Sequence, residues 1–162
     1  MTLYSKDEFY VIGLDFDGTI TTSPLGGNNF PKPQQGFIDF YNFIHYYNVD
    51  HHDDPIYFVI NTARNLNSTE NWNYIKDYLF RYQLNEIFLP KRDGKSMKNN
   101  LNKKIQFPVD FSMNSKIPCS CFVDDLNIGT PKLENGDLDW EKIKEFILED
   151  IEKIRKYWAV KD

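Results

Sequence analysis

Four groups of polar residues interrupt otherwise apolar stretches of the chain. VIGLDFDGTI, Val11 to Ile20, ends a buried-looking run in two carboxylates one residue apart, Asp15 and Asp17, followed by Gly18 and Thr19. IYFVINTAR delivers Asn61, Thr62 and Arg64, EIFLPK delivers Lys91, and SCFVDD delivers Asp124 and Asp125. Carboxylates crowded at one place repel each other and favour their neutral form unless a cation compensates. Mg²⁺ suits such a set, since it prefers oxygen ligands and leaves positions for water and substrate phosphate. Asp15 and Asp17 on alternate residues of an extended chain would share a face, one placed to attack and the other to move a proton.

The elements that must position these groups are legible in the pattern. Phe9 to Leu14 is an aromatic and β-branched run, read as a buried strand. Residues 18–36, rich in Gly, Pro, Thr and Asn, predict a loop or short flap, with Gly18 turning the chain and Thr19 bonding the backbone of that turn. Phe37, Phe40, Tyr41, Ile44 and Tyr47 fall at helical spacing, so a helix is expected to about Asn48. IYFVI is a second strand. Trp72, Ile75, Tyr78 and Leu79 make the apolar face of a second helix, with Ser68 as its N-cap. Glu86 to Leu89 reads as a short strand stopped by Pro90, and Ser120 to Val123 as another. A last helix over about 139–158 carries the stripe Trp140, Ile143, Ile147, Ile151, Ile154 and Trp158, expected to dock on the sheet rather than to form a seam for a partner. Strands alternating with helices imply a parallel sheet in a three-layer α/β fold with helices on both faces. Ligands of such sheets sit beyond the carboxyl ends of the strands, where all four polar groups fall.

The totals agree with one domain spanning residues 1–162, 41% hydrophobic and 16% aromatic, with a net charge of −5. That charge argues against a general nucleic-acid or membrane-surface binder. Seven basic residues nevertheless lie between Lys91 and Lys116, among them Lys95, Lys98, Lys103 and Lys104. A solvated face is the plainer reading of that segment, and a groove for a polynucleotide backbone the alternative. His51, His52, Asp53 and Asp54 read as a solvated connector rather than a metal site, because adjacent side chains rarely converge. Cys119 and Cys121, whose i, i+2 spacing in a strand sets their Cα atoms roughly 6.5 to 7 Å apart, read as buried thiols in a reducing compartment. The first ten residues carry charges where a signal peptide needs an apolar region. No apolar run approaches the roughly 20 residues of a membrane-spanning helix. A cytoplasmic protein is expected.

The motifs DFDGT, FVINTAR and CFVDD, in this order from Val11 to about Gly129, resemble those of haloacid dehalogenase (HAD) superfamily phosphatases, and VDDLNIG resembles the small capless members. The resemblance implies a Rossmann-like HAD fold with no large cap domain and a Mg²⁺-dependent phosphomonoester hydrolase. Asp15 would be the nucleophile that forms an aspartyl-phosphate, and Asp17 the acid and base. Thr62 and Lys91 would bind the phosphoryl group, with Lys95 the competitor for the lysine. Asp124 and Asp125 would hold Mg²⁺ with Asp15 and the Asp17 carbonyl. Ala63 stands where relatives often have Gly beside the Arg that Arg64 matches, and Leu126 where they often have Arg. An open site admits a small phosphorylated molecule or a bulkier substrate such as a polynucleotide end. A dehalogenase would not need Asp17 or a metal. A non-catalytic scaffold would have no use for a full set of acids.

Overall fold

The computed structural model describes residues 9–22, 31–62, 64, 69–88 and 119–161. Its elements run β1 (Tyr10–Leu14), α1 (Gln35–Asp50), β2 (Ile56–Ile60), α2 (Thr69–Arg81), β3 (Cys121–Val123) and α3 (Trp140–Lys161). The strands form one parallel sheet in the order β2-β1-β3, with Leu14 opposite Ile60 on one side and Val123 on the other. The protein is thus α/β with an open parallel sheet. The three strands carrying acids or Thr62 end side by side.

Period-two alternation divides β1 between two apolar clusters. Tyr10, Ile12 and Leu14 join Phe58 and the buried faces of α1, α2 and α3 in the main core. Phe9 and Val11 join Tyr57, Val59 and Cys119 in a second cluster. A central strand buried on both faces needs an apolar residue at every position, hence VIGL without polar interruption. Gly13 serves packing, because a Cβ there would lie 2.6 Å from the Phe122 ring and 3.1 Å from Cys119 Sγ.

Ring packing holds the helices to the sheet. Phe37 and Phe40 meet Trp140 at ring-centroid distances of 5.1 and 5.0 Å, and both touch Phe58. The stripe Trp140, Ile143, Ile147, Ile151 and Ile154 is buried in this core, with Trp158 packed against it, so α3 docks as expected and continues to 161. α1 begins two residues before the expected Phe37 and ends two after Asn48. Its last turn is fastened by Asn48, which accepts from Ile56 N–H at 2.8 Å and donates to Ile56 C=O at 2.9 Å. Ile75, Tyr78 and Leu79 are buried in α2 as read. The cap at Ser68 and the side chain of Trp72 lie outside the described residues.

Among the described residues the expected strand at Glu86 to Leu89 shows one parallel bridge, Phe58 to Phe88. The Glu86 amide donates to the Tyr41 hydroxyl at 2.8 Å; Leu89 lies outside the described residues. Ser120 also stands just outside its strand, yet its hydroxyl accepts from Val11 N–H at 3.0 Å. Cys119 and Cys121 carry no disulfide; Cys119 is buried as read, whereas Cys121 is half-buried. Burial pushes the Cys121 thiol up to about 11, so it is inert at neutral pH. No described helix is long and apolar enough to cross a membrane.

Candidate functional site

The end of β1 is joined to the end of β3 by Asp15 N–H, which donates to Val123 C=O at 3.0 Å. This bond sets Asp15 beside the residues that follow Val123. Carboxylate oxygens of Asp15, Asp124 and Asp125 all lie within 4.8 Å of one another. Burial pushes the Asp15 carboxyl up to about 7; the Phe16 N–H opposes this, and the charge of Asp124 with the hydrogen bond and charge of Asp125 reinforce it. Three oxygen-donor groups so close fit a hard divalent cation better than they fit each other.

The turn after Asp15 is shaped by its neighbours across the site. The chain leaves the extended conformation at Phe16, whose carbonyl accepts from the N–H groups of Ile20 and Thr21 at 3.1 and 3.2 Å. Asp15 and Asp17 are therefore not aimed by strand alternation. Gly18 has φ +76°, and a Cβ there would lie 2.5 Å from Asp125 Oδ2. Any side chain here would be strained and would displace the Asp125 carboxylate. Thr19, fully buried, was expected to bond its own turn and instead reaches Asp125. Its Oγ1 accepts from Asp125 N–H at 3.1 Å and donates to Asp125 Oδ1 at 3.4 Å. The residue that bonds the turn is Thr21, whose hydroxyl accepts from Gly18 N–H at 3.1 Å. Asp124 is held from its own side. Its Oδ1 accepts from Leu126 N–H at 2.9 Å, and its carbonyl accepts from the Thr130 hydroxyl at 3.0 Å.

Asp17 faces another partner. Arg64 Nε donates to Asp17 Oδ2 at 2.6 Å and Nη2 to Oδ1 at 2.8 Å, a two-pronged pair. The guanidinium lies over the rings of Tyr74 at 4.7 Å and Phe16 at 5.6 Å. Its hydrogen bond with Asp17 pushes the Arg64 pKa up. Arg64 thus fixes the Asp17 carboxylate, which is not among the three that converge. Thr62 stands just past β2, its hydroxyl accepting from Arg64 N–H at 3.2 Å. Asn61 N–H bonds Leu14 C=O at 2.7 Å and so ties the β2 end to the β1 end. Lys91, Lys95 and the basic segment to Lys116 lie outside the described residues.

One residue that supports the site has no sequence signature. Gln34, 1% exposed, donates from Nε2 to the carbonyls of Gly18 and Thr21 at 2.8 and 2.9 Å. Its Oε1 accepts from Leu138 N–H at 3.0 Å and Trp140 Nε1 at 3.2 Å. It locks the turn after Asp17 to the start of α3. Gln34→Ala is expected to cost about 3 kcal/mol in chemical denaturation, because it leaves several buried polar groups unpaired. A cost below about 1 kcal/mol would show that the clasp is dispensable.

His51 and Asp54 are used structurally. The His51 ring stacks on Tyr47 at 3.9 Å with Nδ1 against the Tyr47 carbonyl, and Asp54 pairs with Arg155 at 3.0 Å. The connector reading of residues 51–54 therefore has particular contacts behind it. Comparisons of the chain with family models, with curated proteins and with solved structures found no match.

Proposed function

We propose that the protein is a Mg²⁺-dependent phosphomonoesterase acting through an aspartyl-phosphate on Asp15, in the manner of the HAD phosphatases its motifs resemble. The observation that carries this reading is the convergence of Asp15 with Asp124 and Asp125, brought from opposite parts of the chain to within 4.8 Å. Asp15, Asp124 and Asp125, with the Asp17 carbonyl, would hold Mg²⁺. When bound, the ion supplies positive charge that offsets the carboxylates and the phosphoryl oxygens.

The Asp15 carboxylate attacks phosphorus as the bond to the leaving oxygen breaks, and that oxygen takes a proton from Asp17. Water then attacks the phosphoryl group, passes its proton to Asp17 and frees both phosphate and Asp15. The Arg64 pair presents Asp17 as an acceptor, which is the form the water step needs. Proton delivery to the leaving oxygen requires one Asp17 oxygen to turn from Arg64. Thr62 and Lys91 would bind the phosphoryl oxygens.

Helices on both faces and an open site without a large cap belong to this proposal. Burial of Phe9, Val11, Val59 and Cys119, on the face away from the described helices, supports the first. The substrate would be a phosphorylated small molecule; a polynucleotide end would draw on the basic residues between Lys91 and Lys116. Phosphate release from p-nitrophenyl phosphate should need Mg²⁺, stop with EDTA and return with excess Mg²⁺. Thermal stabilisation by Mg²⁺ without turnover on any of a broad set of phosphate esters would replace the enzyme with a metal-binding scaffold.

A further inference from the structure

A cavity of about 550 Å³ is walled by β3, α3 and the loop after Asp125; Val123 and Thr130 line it, while Asp15, Asp124 and Asp125 do not. Its α3 wall is Ile143, Phe146, Ile147 and Ile154, with Asp150 set among them and Tyr10 also lining it. This volume lies in the range of small-molecule sites, which pair an apolar lining with a few polar groups that fix orientation. Asp150 is the acidic one. Its carboxylate accepts from the Tyr10 hydroxyl at 2.7 Å through Oδ2, its one side-chain hydrogen bond among the described residues.

A carboxylate can accept several hydrogen bonds, and Asp150, half-buried, keeps acceptor positions open to a ligand beside Ser120, Asn127 and Thr130; it calls for a counter-charge once an apolar ligand displaces the water on it. No described Lys, Arg or His is paired with Asp150. An Asn or a Ser at 150 could accept from Tyr10 equally well, so a need for an acceptor does not by itself account for a full negative charge. The charge is complementary to a positively charged ligand, and the isoleucines to an apolar body. A neutral apolar ligand would leave Asp150 uncompensated, and an anion would be repelled.

We propose that this cavity binds a small amphipathic organic cation, its ammonium or amidinium group on Asp150 and its apolar body against Ile143, Ile147 and Ile154. The site is separate from the proposed phosphatase centre, and neither reading depends on the other.

The probes are 4-phenylbutylamine and its neutral counterpart 4-phenylbutanol, titrated into the full chain by calorimetry and thermal shift. The amine should bind at least about tenfold tighter than the alcohol, since a charge-assisted hydrogen bond is added. In Asp150→Asn, which keeps an acceptor for Tyr10, the two should bind alike. Phe146→Lys, at an exposed position one helical turn from Asp150, should also abolish the preference by supplying a tethered cation. Failure of both probes to bind would overturn the proposal, as would equal affinities in the unmodified protein. Persistence of the amine preference in both variants would do the same, since it would place the amine on the Asp15 cluster, which they leave intact.

Discussion

Asp15→Asn is expected to lower kcat for p-nitrophenyl phosphate by on the order of a thousandfold or more, with the fold retained. An amide has no anionic oxygen to attack phosphorus, so the route through a covalent intermediate is closed rather than slowed. The substitution is nearly isosteric and keeps the main-chain bond from residue 15 to Val123. Circular dichroism should therefore be unchanged. The purified variant should also fail to incorporate labelled phosphate that the unmodified protein traps on acid quenching. Activity within tenfold of the unmodified protein would remove Asp15 as nucleophile. Loss of activity accompanied by loss of structure would test only stability, so the denaturation midpoint must be measured alongside.

Metal and pH should act on stability through the same carboxylate. Asp15 is pushed from its ordinary value of 3.8 to about 7 in the folded protein. A group raised in this way binds its proton more tightly folded than unfolded. Its contribution to stability is present in full below about pH 4 and is lost as pH rises to about 7 and beyond. Without divalent ions, the unfolding temperature should consequently fall between pH 5 and pH 8. Asp15→Asn should flatten that part of the profile. Mg²⁺ bound to the ionised cluster should restore stability, and more at pH 8 than at pH 5, because protons compete for the same oxygens. At a hundred times its dissociation constant a ligand adds about 2.7 kcal/mol, or roughly 5 to 10 °C for a chain of this size. Asp124→Asn and Asp125→Asn should each weaken the Mg²⁺ response. A response to Mg²⁺ that is equal at both pH values, or unaltered in these variants, would show that the ion binds elsewhere.

The architecture was readable because its signals are local. The helical spacing of Phe37, Phe40, Tyr41 and Ile44 and the long isoleucine stripe of α3 each describe one face of one element. Where neighbours from distant parts of the chain competed for a backbone group, local reading failed. The Glu86 amide went to the hydroxyl of Tyr41 on α1, a partner no local pattern contains. Thr19 bonded Asp125, 106 residues away, instead of its own turn.

The acids themselves were visible in the amino-acid sequence because each ends an apolar run, and a charged residue at such a place stands out without any knowledge of its surroundings. Sequence alone thus determined which residue types arrive at the strand ends, and the α/β class that lines those ends up. Only the tertiary structure decided how they divide: Asp15 with Asp124 and Asp125, Asp17 with Arg64, and Gln34 holding the turn between them to α3. The physical reason is that hydrogen bonds and ion pairs act over a few ångströms in space with no regard to separation along the chain. A carboxylate's partner is therefore chosen by packing, which a linear pattern does not contain.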